Sequence, residues 1–185
     1  MRLMPLRGLV LAAALLACLT SALDAQELKL PSVFGDHMVL QRDMPVPVWG
    51  WGQAGESVVV TFGDQSKSTE VGADGRWMLK LDPLAVGEPR ELTVKSGDAS
   101  TTFSDVLVGE VWVCSGQSNM QWSVAVGIDP DLEAVRADRP NLRLLQLPQV
   151  SKAEPQDDVE ASWRICAPDN ISNFSAVAYY FGVNL

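Results

Sequence analysis

Residues 46–62 read VPVWGWGQAGESVVVTF, which is two short apolar runs around the turn signal Gln53-Ala54-Gly55. Valine, tryptophan and phenylalanine dominate both runs, and such β-branched and aromatic residues favour strands. Further short runs of this kind, separated by turn signals, are MVLQ at 38–41, RWMLKL at 76–81 and ELTVKS at 91–96. Strands at this spacing are typical of an antiparallel sandwich. We therefore predict an antiparallel β-sandwich over residues 26–105.

The pattern changes near residue 106. Residues 106–113 read VLVGEVWV, a nearly continuous apolar run that is typical of a strand covered on both faces. Residues 131–137 (DLEAVRA) have helical spacing, with Leu132 and Val135 on one side and charged residues on the other. These features predict a buried strand followed by an amphipathic helix.

A second strand and a second helix are predicted further along the chain. Residues 141–147 (NLRLLQL) have the composition of a buried strand, and the acidic residues 148–162, which include two prolines, are expected to form a loop. Residues 174–185 are predicted to form an amphipathic helix, with an inward face of Phe174, Val177, Ala178 and Phe181. Strand, helix, strand and helix are the opening of an α/β domain with a parallel sheet. We therefore assign residues 106–185 to the first, incomplete part of such a domain.

The N-terminal segment has the layout of a secretory signal peptide. Arg2 and Arg7 supply positive charge, and residues 8–19 form an apolar run, followed by small residues. That run is too short for a bilayer span, which needs about 20 residues. We predict cleavage after Ala22 or Ala25, with residues 1–25 as the signal peptide. The protein is therefore expected to be exported, to the periplasm or the extracellular space.

Three cysteines bear on the fate of an exported chain. Residues 15–18 (LLAC) loosely resemble a bacterial lipobox, so lipid anchoring through Cys18 is an alternative to free export. Removal of the signal peptide leaves Cys114 and Cys166, an even pair in an oxidising compartment. They predict either a disulfide or two buried free thiols.

The charge of the chain excludes some classes of partner. The formal net charge is −9 at pH 7 over 185 residues. Nucleic acids and anionic lipids favour basic proteins. We therefore predict no nucleic-acid partner, and no membrane contact apart from the possible lipid anchor.

A serine follows the predicted strand at the start of the second half. Residues 115–119 read SGQSN, so Ser118 has a glycine, Gly116, two residues before it. In open α/β sheets, reactive groups lie at the carboxyl ends of strands. The pattern is not the G-x-S-x-G nucleophile elbow, since Met120 occupies its last position. From spacing alone, Ser118 is either a nucleophile or a helix N-cap.

Residues 109–120 (GEVWVCSGQSNM) resemble the first motif block of the sialate O-acetylesterase family, which belongs to the SGNH hydrolases. The resemblance extends over residues 30–185. Other similar segments are FGDHMVLQR at 34–42, PVPVWG at 45–50, DGRW at 74–77, DVLVG at 105–109, ADRPNLR at 137–143 and FSAVAYYFG at 174–182.

The resemblance implies a serine esterase that removes O-acetyl groups from sugars, with sialic acid as the first expected substrate. It makes Ser118 the nucleophile and a backbone N–H donor to the oxyanion, supported by Gly116, Gln117 and Asn119. It implies no cofactor and no metal. Another acetylated glycan, such as acetylxylan, is an alternative substrate. A carbohydrate-binding β-module attached to an inactive hydrolase remnant is an alternative from another functional class.

The family also has a glycine, an asparagine and a late Asp-x-x-His, and none of these is matched here. No histidine follows Ser118. The resemblance therefore implies the N-terminal portion of the family only, and the chain as given is expected to be truncated and inactive on its own.

The remaining candidate residues have structural alternatives. His37, the one histidine in the sequence, is expected to be structural because it precedes Ser118 by 81 residues. Ser115 is expected to be a hydrogen-bonding scaffold residue, and Trp122 is a candidate for a substrate pocket. A row of exposed aromatic side chains would indicate sugar stacking, and core packing is the alternative. This choice applies to Trp49, Trp51 and Trp77.

Overall fold

The computed structural model describes residues 27–185. The predicted signal peptide and Cys18 lie outside this range. The described chain consists of mixed β-sheets, with the curl of half a barrel, and few helices. Seven strands precede residue 110: β1 (Val39–Gln41), β2 (Val46–Trp51), β3 (Ser57–Phe62), β4 (Gln65–Glu70), β5 (Arg76–Leu81), β6 (Arg90–Ser96) and β7 (Ala99–Gly109).

These strands form two sheets. One sheet has five strands in the order β1-β7-β6-β3-β4, and the other is the pair β2-β5. All the pairings are antiparallel except β1 with β7, which is parallel. The tight turns at Gly63 and Gly97 have positive φ, which glycine adopts without the steric penalty of a side chain.

Alternation along the strands builds the main hydrophobic core. Val58, Val60 and Phe62 are buried on β3, and Leu79 and Leu81 are buried on β5. Side chains from both sheets belong to one core cluster. Buried and more exposed residues alternate along both strands, as expected where one face of a sheet packs on a core.

The predicted strand over residues 106–113 is correct only in its first half. β7 ends at Gly109, and residues 110–116 have no regular structure. Val113 is 92% exposed although it is apolar. β7 ends at Gly109 because neither neighbouring strand pairs with it any further. The last paired residues are Gly109 with Gln41 of β1, and Val106 with Arg90 of β6. Residues 106–109 therefore pair within the five-stranded sheet.

The second half of the described chain contains two strands and four short helices. The elements are α1 (Ser118–Gln121), α2 (Pro130–Arg136), β8 (Arg139–Leu145), β9 (Trp163–Cys166), α3 (Pro168–Ile171) and α4 (Ala176–Val183), with a 3₁₀ turn at Val124–Val126. Residues 146–162 between β8 and β9 have no helix or strand, as predicted for the loop.

The pairing of β8 with β9 is antiparallel, so the parallel sheet predicted for this half is wrong for the strands described. Parallel neighbours need a long crossover, usually a helix. The connection from β8 to β9 is instead an irregular loop that returns the chain in the opposite direction. The sequence pattern identified the strand but not the direction of its partner.

Both predicted helices are present, but only part of the predicted inward face of the second is correct, because Phe174 packs against a second, smaller hydrophobic core around Tyr179. The apolar side predicted for the first helix is exposed. Leu132 and Val135 of α2 are 46% and 74% exposed. In α4 the fully buried side chain is Tyr179, whereas Val177 and Phe181 are each more than 40% exposed. The reason is that α4 packs through a stripe rotated by part of a turn, which is formed by Ala176, Tyr179 and Val183.

Candidate active site

Ser118 is the first residue of the short helix α1. The N-cap position belongs to Gln117, and no side chain caps the helix. The side chain of Ser118 is exposed, and among the described residues it makes no hydrogen bond to another side chain. Ser118 therefore does not act as the N-cap that its sequence position also allowed.

The segment around Ser118 is anchored on the beginning of α4. The thioether sulfur of Met120 accepts a hydrogen bond from the Ser175 hydroxyl at 3.3 Å. The backbone N–H of Ala176 donates to the Trp122 carbonyl at 2.8 Å. Ser175 also caps α4, since its hydroxyl accepts from the Ala178 N–H. These contacts hold α1, and Trp122 directly after it, against the N-terminus of α4.

Gly116 allows a close approach within this segment. A Cβ atom placed on Gly116 would lie 3.2 Å from the Cβ of Met120, which is tighter than ordinary contact. Gln117 and Asn119, which flank Ser118 in sequence, have exposed side chains. Ser118 and the predicted supporting residues on either side of it therefore lie on an exposed surface.

Two aromatic residues flank the serine segment. The rings of Trp112 and Phe181 meet edge to face, with 5.2 Å between their centroids. This contact attaches the irregular segment before Ser118 to α4. Trp122, directly after α1, is 59% exposed, and its role in a substrate pocket stays a prediction. Ser115 is also exposed in the irregular segment.

Of the two states predicted for the cysteine pair, the structure has the free thiols, although only Cys166 is buried. Cys114 and Cys166 are both free thiols. Cys166 is fully buried in the smaller core, where its sulfur contacts the Ala137 carbonyl at 3.4 Å. Burial raises the pKa of the Cys166 thiol. Cys114 is exposed in the irregular segment before α1, so the two sulfur atoms occupy different environments.

His37 lies in a hydrogen-bonded network of its own. Its Nδ1 is 2.6 Å from an oxygen of Asp105, and Arg143 donates to both oxygens of the same carboxylate. The hydrogen bonds from Arg143 hold the pKa of Asp105 at about 2. None of the described side-chain hydrogen bonds connects His37 to Ser118. Neither Asp105 nor Arg143 was a predicted site residue, although both lie in segments that carried the family resemblance.

The described part of the chain has neither a candidate metal site nor a candidate membrane-spanning helix. No group of three or more His, Cys, Asp or Glu side chains in residues 27–185 is arranged to hold a metal ion. None of the helices in this range is long and apolar enough to cross a membrane.

Comparison with known proteins identifies the relatives of this chain. It is 34% identical over 175 residues to the sialate O-acetylesterase of Rattus norvegicus, and 31% identical over 177 residues to that of Homo sapiens. The aligned regions cover 83% and 85% of this chain. The chain is a homologue of the sialate O-acetylesterases. The resemblance predicted from the motif segments is therefore confirmed, although no protein-family model matches.

A solved structure supports the same relationship. The chain resembles the crystal structure of a carbohydrate acetylesterase from Xanthomonas citri, with a TM-score of 0.83 and 34% identity. The match covers 85% of this chain and 37% of that protein. The chain likewise spans about a third of the curated sialate O-acetylesterases, at 32% and 34% of their lengths. The relatives are esterases that are named for acetylated carbohydrates.

Proposed function

We propose that this protein is a carbohydrate O-acetylesterase that forms an acyl-enzyme on Ser118. The observation that carries the proposal is the exposed serine at the start of α1, which is not used as a helix cap. It lies within the GEVWVCSGQSNM segment that resembles the nucleophile block of the family. The names of the homologues support an acetylated sugar as the substrate.

The proposed reaction has two steps. The Ser118 oxygen attacks the acetyl carbonyl, and the sugar leaves as a free alcohol that has gained the proton lost by the serine. Water then attacks the acetyl-enzyme and releases acetate. The backbone N–H of Ser118 contributes to stabilising the oxyanion, because such donors act where negative charge develops. The missing side chain at Gly116 lets Met120 pack closely within the segment that carries the nucleophile.

Acyl transfer also needs a general base. His37 is the one histidine in the sequence, and its imidazole is held by Asp105. We therefore assign His37 no chemical step, and the base is not assigned to any residue of this chain.

Sialic acid esters are the first substrate class in this proposal, because the curated relatives are sialate O-acetylesterases. A second acetylated glycan, such as acetylxylan, is the alternative, since the structural relative is named more broadly as a carbohydrate acetylesterase. Export of the protein, with residues 1–25 as a signal peptide, is part of the same proposal.

The test uses the protein expressed from its full gene. Its rate of acetate release is measured on 9-O-acetyl sialic acid and on acetylated xylo-oligosaccharides. Replacing Ser118 by alanine should lower kcat by about a thousandfold or more, since the lost bond forms only along the reaction path. Ser115→Ala is the matched control and should retain most of the activity.

Covalent labelling identifies the nucleophile directly. A fluorophosphonate should add its mass to the peptide that contains Ser118, and Ser118→Ala should remove that label. Labelling of Ser115 instead, or acetate release by Ser118→Ala at the parent rate, would contradict the assignment. Absence of acetate release from both substrates by the unmodified protein would favour the non-catalytic β-module.

A further inference from the structure

A cavity of about 280 Å³ lies between β2, β5 and the loop at residue 157. Three tryptophans line it together with a small set of charged side chains, namely Asp74, Arg76 and Asp157. Ligand sites in proteins are typically aromatic and apolar, with a few placed polar groups, and begin at roughly 300 Å³. The cavity therefore has the composition of a site for a small ligand, and its volume lies just below that lower limit.

Two of the tryptophans form an aromatic platform on the outer face of the sheet. Trp49 and Trp51 alternate with buried residues on β2, and they lie opposite Met78 and Arg76 on β5. The outer face of a two-sided antiparallel sheet is normally polar. Trp49 and Trp51 are partly buried there, and Trp49 also packs against the main core, so the exposed parts of the two rings form a flat apolar surface.

The platform is held in place before any ligand binds. The Trp49 ring meets the Phe34 ring edge to face, with 4.8 Å between centroids. The Lys29 ammonium lies 5.2 Å from the centroid of the Trp51 ring. Rings that are already oriented lose little conformational freedom on binding, which favours affinity.

Trp77 lines the cavity from the core side of β5. It is 4% exposed and belongs to the main hydrophobic core, on the opposite face of the sheet from Trp49 and Trp51. Gly50, directly opposite, has no side chain, and a Cβ atom there would lie 3.0 Å from the Trp77 ring. The glycine therefore allows the ring to lie close to β2.

The polar rim carries both donors and acceptors. Arg76 Nη2 and Nη1 lie 2.6 and 3.4 Å from the two oxygens of Asp157. The backbone N–H of Arg76 also donates to Asp74 at 3.1 Å. Guanidinium donors and carboxylate acceptors together suit hydroxyl groups, which both donate and accept. Two carboxylates against one guanidinium give the rim a net negative charge, which disfavours an anionic sugar.

We propose that this cavity binds a neutral sugar unit of a glycan. The apolar C–H face of the sugar ring stacks on Trp49 and Trp51. The rim formed by Arg76 and Asp157 contacts the hydroxyl groups. This site lies on the β-sheets and does not depend on the role proposed for Ser118.

The test measures binding rather than hydrolysis. The full chain carrying Ser118→Ala is titrated calorimetrically with xylohexaose, cellohexaose and mannohexaose, and with N-acetylneuraminic acid as the anionic comparison. At least one neutral hexasaccharide should bind saturably and more tightly than N-acetylneuraminic acid. Trp51→Ala should weaken that binding by about tenfold, since truncation of a central aromatic residue removes most of the contact energy.

Two exposed acids provide a matched pair of variants in case Trp51→Ala does not fold. Asp157→Ala, at a position whose side chain is 64% exposed, should weaken binding without a change in the circular dichroism spectrum. Asp98→Ala, in the exposed turn between β6 and β7, should bind like the parent. Absence of saturable binding by all three neutral sugars, equal binding by Asp157→Ala and the parent, or tighter binding of N-acetylneuraminic acid would overturn the proposal.

Discussion

His37 Nδ1 lies 2.6 Å from a carboxylate oxygen of Asp105, and both residues have positive φ, at 66° and 53°. Residues other than glycine are uncommon in this region of backbone space. Arg143, whose side chain is 3% exposed, donates to the same carboxylate from β8. The carboxylate on β7 therefore connects the larger β-core to the strands that follow residue 110.

Removing the charge of Asp105 should destabilise the protein. Asp105→Asn keeps a side chain that tolerates positive φ, but it leaves the buried guanidinium of Arg143 without its carboxylate. Because Asp105 is 29% exposed, we expect a loss below that of a fully buried pair, about 2–3 kcal/mol in the free energy of unfolding. Urea denaturation measures this loss.

A matched substitution tests whether burial is the reason. Asp157→Asn breaks the Arg76–Asp157 pair, whose side chains are 53% and 64% exposed. Exposed pairs contribute little, so the loss should be below about 1 kcal/mol. Equal losses for the two variants would contradict the role given to the buried Arg143.

The same carboxylate should make stability depend on acid pH. The pKa of Asp105 is lowered from 3.8 to about 2, mainly by the hydrogen bond from Arg143. A lowered pKa in the folded state means that the contribution is complete above the unfolded value and is lost as pH falls through about 2. The full contribution is of order 2 kcal/mol. Urea midpoints between pH 5 and pH 2 should converge for the parent and Asp105→Asn, and a constant difference would contradict this prediction.

A side chain at Gly116 should disturb the segment that carries Ser118. The Cβ atom of Gly116→Ala would lie 3.2 Å from Met120 Cβ, so α1 must shift by a few tenths of an ångström. We expect a drop of about tenfold or more in kcat/KM for the proposed acetate release, because small misplacements of reacting groups are costly. Gly35→Ala, which meets no atom within 4 Å, is the control and should change little. Similar rates for both variants would contradict the role given to Gly116.

The difference in exposure between the two free thiols predicts a difference in their reactivity. In residues 27–185, Ellman's reagent should react at once with exposed Cys114 and should reach buried Cys166 only after unfolding in urea. Cys114→Ser should abolish the reaction of the folded protein. Two thiols that stay unreactive in urea until a reductant is added would show a disulfide instead.

The last four residues of β7 should contribute to the stability of the β-region. Residues 106–109 bring Val106 and Val108 into the larger core and pair with β1. Expressed alone, residues 27–109 should unfold at a higher urea concentration than residues 27–105, since buried apolar side chains are retained. An equal urea midpoint for the two fragments would mean that these residues contribute nothing to the core.

The sequence by itself determined β1, β2, β3, β5 and β6 and the family to which the chain is related, whereas the polar strand β4 was not predicted. Richness in β-branched and aromatic residues is a local property, so RWMLKL and SVVVTF indicated strands. The motif around Ser118 carried the relationship because it is a contiguous segment, and the comparisons confirmed it. Local patterns of this kind need no knowledge of distant parts of the chain.

The tertiary structure alone decided the features that depend on partners distant in sequence. The strand pattern of β8 did not specify that β9 would pair with it in the antiparallel direction. The inward stripe of α4 depends on which surface meets it, and the distance between the sulfur atoms of Cys114 and Cys166 depends on the whole path between them. Asp105 and Arg143 are 38 residues apart, and only folding places a guanidinium beside that carboxylate.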